Sequence, residues 1–529
     1  MSDALPEHLA GLLRPQAYPH PVEMEVTLVT THLSWVLLTG VFAYKIKRPV
    51  CFPFVDLRSA QRRAFFCKEE LRLNRRFAPE LYLDVCPVTV TGGAACIGGR
   101  GQPIEYAVKM RQFRRDEELD NLLAKEGSGH EGLAQGGISP AELGAFGQDL
   151  ASIHAGLPVA EQWGDPQAIR AAVLGNFEEC IRASEVFDEA TAVGSLRFEL
   201  ERHLGAGAAW MAERRENGRV KECHGDLHTA NIVRRHSRLV AFDCIEFEPA
   251  FRWIDVADEV AFLLADLDAR GHPEHEQAFL GGYLAHSGDY QACCLLPLYR
   301  AHRALVRAKV TALRQAGMSA ENLDPQALQL HRSYVSCAAR SLARRRPVLV
   351  LMSGLSGSGK TWLAERLAPV LRAVHLRSDV ERKRLAGLDE RARTDSAVSE
   401  GIYSRDFTKR VYEHLATAAE DVLAGGYTAI IDATFARRAH RNSFRKVARR
   451  QGVTACLVQC RAPHEVLVSR IIERDFKNVD ASEADVTVLN WQMEYWEPVG
   501  ADEQWSLLSV DTTHSDLEDL GRRIKVLQG

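Results

Sequence analysis

Gly354-Leu355-Ser356-Gly357-Ser358-Gly359-Lys360-Thr361 follows the short apolar run Val348–Met352 and opens a helix-compatible stretch. It satisfies GxxxxGK[ST] in the strand-then-helix setting that this pattern requires. The glycines let successive backbone N–H groups face one point, and the helix N-terminus adds partial positive charge there. Such a loop cradles phosphate. Lys360 is placed to reach the β- and γ-phosphates of a nucleotide, and Thr361 to ligate Mg2+. Gly354, Ser356, Gly357, Ser358, Gly359, Lys360 and Thr361 are therefore the expected nucleotide contacts.

Outward from this loop the chain alternates strand and helix. Val348–Met352, Ala373–Leu376, Thr428–Ile431 and Ala455–Gln459 read as short buried strands with helical stretches between them. That order predicts a parallel α/β sheet. Leu376-Arg377-Ser378-Asp379-Val380-Glu381-Arg382-Lys383 follows one strand and resembles P-loop kinases of the polynucleotide-kinase and zeta-toxin type. The resemblance implies that Asp379 is the base for an acceptor hydroxyl and that Arg382 grips the substrate. A helix start followed by a solvated basic turn is the alternative. Asp432 ends another strand and looks like the carboxylate that supports magnesium. Arg470 and Arg474, four apart, share one helix face. They read either as lid arginines that neutralise the transferring phosphoryl group or as surface charge. The run Arg437, Arg438, Arg441, Arg445, Lys446, Arg449 and Arg450 makes a basic helix, for which a solvated face is preferred over a polyanion site.

A second informative segment lies upstream. His224-Gly225-Asp226-Leu227-His228-Thr229-Ala230-Asn231 is followed by Phe242-Asp243 after a short apolar stretch. Phosphoryl transfer needs a carboxylate near the acceptor hydroxyl and oxygen ligands for magnesium. Asp226 fits the first role, and Asn231 and Asp243 the second. Protein kinases space an Asp, an Asn and a strand-borne Asp in the same way. With Gly in place of Arg, the segment resembles the aminoglycoside-phosphotransferase and choline-kinase-like families. Trp253–Ala257 and Leu150–His154 extend the likeness. The resemblance implies a strand lysine held by a helix glutamate, for which Lys45 and Glu70 are preferred over Lys47 and Glu69. It also implies that the turn Thr31–Ser34 covers the phosphates, with Ser34 as a contact, and that Met110–Phe113 meets adenine.

The surroundings agree with two lobes. Met24–Thr31, Trp35–Thr39 and Val41–Lys47 read as an antiparallel meander. A helix over about 58–77, stopped by Pro79, and strands near Tyr82–Thr91 and Ile104–Phe113 follow. Ser139-Pro140-Ala141-Glu142 is a capping box with proline at the first helical position. The expected fold is an α+β protein-kinase-like two-lobe domain followed by an α/β P-loop NTPase domain with a parallel sheet. The first domain spans 1–343, its small lobe about 20–113 and its helical lobe about 114–343. The second spans 347–529, beyond a break at Arg344–Pro347. Nearly the whole chain resembles a bacterial fusion of these two domain types.

Composition bounds the partners. The 529 residues are 46% hydrophobic and 26% charged, with a formal net charge of -4. That balance gives no electrostatic case for a dedicated nucleic-acid or membrane-surface binder. The 12 cysteines are scattered without zinc spacing, as in reduced cytosolic proteins. No secretory leader pattern or bilayer-length apolar run is read, so the expected compartment is the cytoplasm. The expected activity is transfer of the ATP γ-phosphoryl group, with Mg2+, to hydroxyls of small-molecule acceptors in two kinase domains. Alternatives are a C-terminal nucleic-acid 5′-hydroxyl kinase, a less favoured partner class, and a nucleotide-dependent switch for the first domain. The acceptors, the nucleotide preference and the oligomeric state are not legible in the sequence.

Overall fold

The computed structural model describes residues 4–22, 25–52, 55–125, 137–390, 392–394, 401–477, 481–503, 505–514 and 516–527. Met24, where the first expected strand run begins, lies outside them. The chain divides into two compact units. One comprises 1–146, 152–174 and 211–272; the other comprises 147–151, 175–210 and 273–529.

The first unit is built on an antiparallel sheet. Its strand order is Thr27–Thr30, Ser34–Leu38, Phe42–Lys47, Glu105–Arg111, Tyr82–Thr91, Ala94–Ile97. Side chains alternate across a strand, which sorts the sheet into two faces. Tyr44 and Ile46 join Trp35, Leu37, Val88 and Ile97 in one core, closed by Leu9, Leu12 and Tyr18. Ala43 lies on the opposite face with Val108 and Met110, in a core shared with Cys67. By the same parity Lys45 and Lys47 point to that second face. The helix Ala60–Asn74 starts at Ser59, whose hydroxyl accepts from Arg62 N at 3.2 Å. It buries Arg63, Phe66, Cys67, Glu70, Leu73 and Asn74. Spacings of three and four put these on one stripe, so Glu70 is carried inward by its own helix.

Further along, the helix Pro140–Gly156 begins with both bonds of its capping box formed. The strands Ile232–Arg235 and Arg238–Ala241 form a hairpin whose turn residues His236 and Ser237 have φ of 45° and 66°. Asn231 precedes the hairpin and Asp243 follows it. The strand Val220–Glu222 pairs with Trp253–Asp255, and the buried helix Val256–Ala269 comes next.

The second unit contains a five-stranded sheet in the order Ala373–Arg377, Thr428–Asp432, Val348–Ser353, Thr454–Arg461, Ser506–Asp511. Every pairing is parallel. Val348–Ser353 is buried at every position, as an unbroken apolar run in a central parallel strand should be. The edge strand Ser506–Asp511 was not among those expected. Its burial alternates weakly, and only Leu508 is buried within it.

The helices Pro273–Ser287, Ala292–Leu313 and Pro325–Leu342 belong to this second unit. This division does not coincide with the boundary expected at 343–347, since Pro273–Ser287 and Ala292–Leu313 reach the parallel sheet and a helix that covers it. Gln277 Nε2 donates to Ala373 O at 2.5 Å, and Cys294 Sγ to Asp421 O at 3.3 Å. A methyl group added at Gly425 would lie 2.1 Å from Cys293 O. The arginine-rich joint is packed as well: the Arg345 guanidinium sits 5.2 Å from the centre of the Tyr427 ring.

Candidate functional sites

In the first unit, the His224–Asn231 loop is held from behind by one buried carboxylate. Glu259 accepts from His224 N at 2.7 Å and from Gly225 N at 2.8 Å. Burial raises its pKa, but His154, 3.7 Å away, and these donors outweigh burial and hold it below the ordinary value. Gly225 has φ of 88°, and a Cβ there would stand 2.8 Å from Phe251 O. Glycine is the residue that fits between His224 and Asp226 here. Burial lowers the His224 pKa, and its Nε2 lies 2.8 Å from Phe242 O, so the neutral ring donates to that carbonyl. Thr229 donates twice to Asp266 Oδ2, from N at 2.9 Å and from Oγ1 at 2.6 Å. Glu259 and Asp266 are thus two braces on one helix. They were missed in the sequence, although charges seven apart in the apolar run Val256–Leu267 are a readable signal.

The loop brings Asp226 and Asn231 together: Asn231 Nδ2 donates to Asp226 Oδ2 at 3.0 Å and to Asp226 O at 2.9 Å. Asp243 adopts a left-handed φ of 67°, and its N–H donates to Tyr82 Oη at 3.1 Å. Lys45 Nζ lies 2.5 Å from Asp243 Oδ1 and 2.8 Å from Glu70 Oε1. Burial opposes the Lys45 charge, yet Asp243 and Glu70 prevail and lift its pKa well above the ordinary range. Lys47 forms a second buried set, 2.5 Å from both Glu70 Oε2 and Glu246 Oε1. Both lysines therefore meet Glu70, whereas Glu69 pairs with Arg72 and Arg252. Glu246 carried no sequence signal.

Ser34 lies opposite Lys47 in the strand pairing, fully buried, and its hydroxyl finds no hydrogen-bond partner among the described residues. The turn before it closes on itself through Thr31 Oγ1, which accepts from Ser34 N at 2.9 Å. Met110 is buried, and Gln112 caps the hairpin by accepting from Gly40 N at 2.8 Å.

In the second unit, a cavity of about 400 Å³ opens at the carboxyl ends of the parallel strands. This is where open α/β sheets place ligands. Lys360, Thr361, Asp379, Arg382, Asp432, Arg470 and Arg474 all line it. The phosphate loop is tightly seated: Gly357 has φ of 78°, and a Cβ there would lie 2.5 Å from Leu467 O. Ser356 N donates to Gln492 Oε1 at 2.8 Å. Lys360 Nζ donates to Leu355 O at 2.9 Å, and burial lowers its pKa. Thr361 Oγ1 donates to Asp432 Oδ2 at 2.6 Å. Burial works to raise the Asp432 pKa, but His375, Lys360 and Thr361 bring it down to about 2. The arrangement is a hydroxyl and an ionised carboxylate side by side, the hard oxygen donors that Mg2+ takes.

Arg470 braces the loop, donating from Nη1 to Thr512 Oγ1 at 2.9 Å and from Nη2 to Thr512 O at 3.2 Å. Arg474, one turn on, donates to Ala484 O. Arg382 donates to Ile402 O at 2.6 Å and lies 4.9 Å from the centre of the Tyr403 ring. The basic helix divides. Arg441 is fully buried against Glu503, Arg438 pairs with Asp502 and Arg450 with Glu420, while Arg437 lines the cavity. His375, Thr512, Arg405 and the Tyr412–His440 stack were not read from sequence, since their places depend on which distant strands and helices become neighbours.

A family model described as an AAA domain matches residues 349–499, the stretch that holds the phosphate loop, Asp379, Asp432, Arg470 and Arg474. The second unit contains a P-loop domain on a parallel sheet. Among the described residues no helix is long and apolar enough to cross a membrane. An uncharacterized protein of Mycobacterium tuberculosis strain H37Rv is 27% identical over 483 residues, covering 90% of this chain and 92% of its own; one of Mycobacterium bovis matches equally. Among solved structures, a choline/ethanolamine kinase family protein from Mesorhizobium loti covers 61% of this chain and 92% of its own at 12% identity and a TM-score of 0.34. An APS kinase of Mycobacterium tuberculosis, in complex with AMPPNP and APS, covers 35% and 98% at 21% identity and a TM-score of 0.26. Scores this low do not establish a common fold.

Proposed function

We propose that the chain is an ATP-dependent phosphotransferase with two transfer centres, each moving the ATP γ-phosphoryl group to a hydroxyl of a small-molecule acceptor. The observation that carries this reading is the gathering of Lys360, Thr361, Asp379, Asp432, Arg470 and Arg474 around one cavity at the strand ends. In the second unit the loop N–H groups and Lys360 hold the nucleotide phosphates. Asp379 takes the proton of the acceptor hydroxyl. Arg470 and Arg474 oppose the charge that spreads over the phosphoryl oxygens during transfer. Thr361 and Asp432 would hold Mg2+, which supplies charge neutralisation when bound.

In the first unit Asp226 is the base, oriented by Asn231 and by the braced loop. Lys45, positioned by Glu70, meets the nucleotide phosphates. Asn231 and Asp243 would hold Mg2+, since both are oxygen donors beside Asp226. The Lys45–Asp243 pair keeps that carboxylate ionised: burial works to raise its pKa, but Lys45 outweighs burial and holds it below the ordinary value. The pairing of Arg441, Arg438 and Arg450 with carboxylates leaves the basic helix without the continuous charge that a nucleic acid would need. A cytoplasmic setting, where ATP is available, suits this chemistry.

The test is transfer from γ-labelled ATP into a pooled metabolite extract by the protein and its Asp226→Asn and Lys360→Ala variants. Two labelled products, each lost in one variant, support two kinases. Hydrolysis without labelled product, abolished by Lys360→Ala alone, would replace this reading with a nucleotide-driven switch.

A further inference from the structure

Besides the phosphate loop, the cavity of the second unit is lined by side chains that the nucleotide reading gives no role. Among them are Arg382, Arg405 and Arg437, which come from different elements: the helix Ser378–Leu385, the first turn of the helix Arg405–Ala424, and the residue before the helix Arg438–Gln451. Arg382 is 7% exposed, and its Nε is buried without a hydrogen-bond partner among the described residues. Its Nη1 meets only neutral acceptors, Ile402 O at 2.6 Å and Thr408 Oγ1 at 3.2 Å. Neither Arg405 nor Arg437 has a side-chain hydrogen bond or ion pair with any described residue.

The cavity's carboxylates are Asp379, Asp432 and Glu483, fewer than its arginines, and of the three only Asp379 has no hydrogen bond or ion pair with a described residue. Asp432 is taken by Thr361 and His375. Glu483 accepts from Thr394 N at 3.1 Å and Oγ1 at 2.8 Å, and lies 3.3 Å from Lys383. Arg382 is buried and Arg437 half-buried without a paired carboxylate, which is unfavourable unless an anion completes the set, and the exposed Arg405 adds a third cation to the same cavity. Beside them Tyr412 and His440 stack with ring centres 3.8 Å apart and planes 21° from parallel. Burial, and then the Arg437 charge, lower the His440 pKa to about 4. The stack is therefore uncharged near neutral pH and offers an apolar wall next to the arginines.

We propose that the acceptor of the second unit is an anionic hydroxyl compound, its phosphate or carboxylate held by Arg382, Arg405 and Arg437 while its hydroxyl meets Asp379. This rests on the phosphotransferase reading of the same cavity. The balance is simple. The acceptor oxygen bonds to the γ-phosphorus and its proton passes to Asp379. The bond from γ-phosphorus to the β-bridging oxygen breaks, and its electron pair leaves with ADP. The anion is not consumed; it fixes which hydroxyl faces the γ-phosphoryl group.

The test uses the full chain saturated with Mg2+ and AMPPNP, so that the phosphate loop is filled, and titrates inorganic phosphate, acetate and glycerol by calorimetry. Saturable binding of phosphate or acetate, absent for glycerol, is expected. Its loss by about tenfold or more in the Arg405→Gln/Arg437→Gln double variant is also expected, one charge-assisted contact being worth about that factor. The conservative Arg437→Lys variant should retain part of the affinity. No saturable anion binding, or binding indifferent to the double variant, overturns the proposal. Displacement of phosphate by a 5′-hydroxyl oligonucleotide with steep salt dependence also overturns it, in favour of a nucleic-acid end. AMPPNP affinity is read separately, and its absence at the phosphate loop would sink the nucleotide reading itself rather than the acceptor class.

Discussion

Glu381 lies between Asp379 and Arg382 on a helix of eight residues, and its tether should govern how that helix is held. It is fully buried, and four donor contacts converge on it. Tyr290 Oη donates to Oε1 at 2.7 Å, Arg384 Nη1 reaches both oxygens at 2.6 and 2.8 Å, and His414 Nε2 lies 2.9 Å from Oε2. Burial raises the Tyr290 pKa well above its ordinary value, and Glu381 adds to this, so the phenol remains a donor at any working pH. The Tyr290→Phe change removes one hydrogen bond to a charged acceptor and leaves the other donors in place. A bond of that kind is worth about 1.5–3 kcal/mol. Because Arg384 shares the same oxygen, we expect the lower end, about 1.5 kcal/mol, off the stability of the second unit. The Glu381→Gln change also removes the negative charge that faces the Arg384 guanidinium and should cost about 3 kcal/mol. Urea unfolding measures both. Hydrogen exchange over Ser378–Leu385 should quicken in each variant, and the turnover that depends on Lys360 should fall with KM for ATP unchanged. Unaltered stability together with unaltered exchange in Tyr290→Phe would refute the idea that the helices after Pro273 hold the Asp379 helix in place.

Other outcomes follow from the same geometry. Lys47 and Lys45 should separate stability from function: Lys47→Met leaves Glu246 buried without its cation, while Glu70 keeps Lys45, and should destabilise by about 3 kcal/mol, seen by thermal melting. Lys45→Met keeps Glu70 paired with Lys47, so its larger effect should fall on nucleotide binding by the first unit. Asp432 titrates at about 2 in the fold against an ordinary 3.8, so its contribution is fully present above about pH 4 and is lost as pH falls through 2. That contribution is about 2 kcal/mol. The stability gap between the protein and its Asp432→Asn variant should therefore widen from pH 2 to pH 4 and then stay flat, which acid titration monitored by circular dichroism would check. A gap that is constant across that range would contradict it.

Local signals carried much of what the sequence revealed. The phosphate loop, the capping box at Ser139 and the strands Phe42–Lys47 and Val348–Ser353 depend on contiguous residues, and their patterns were legible. Asp226, Asn231 and Asp243 were singled out by spacing, and the hairpin over 232–241 sets the interval between the last two. The buried partners were not. Glu246 meets Lys47 across 199 positions of chain, and Tyr290 meets Glu381 across 91. Nothing in the neighbourhood of either residue announces such a partner. The choice between Lys45 and Lys47 was posed as exclusive, yet alternation puts both on one strand face, and one buried carboxylate with two oxygens serves both. The edge strand Ser506–Asp511 escaped notice because an edge position leaves its outer residues wet and breaks the apolar run.

The central claim is that one chain holds two separate nucleotide sites. Calorimetric titration of the full chain with AMPPNP and Mg2+ tests it most directly. The account predicts two sites per chain, one removed by Lys360→Ala and the other by Lys45→Met. A single site, or two sites that survive the Lys360→Ala change, would contradict it.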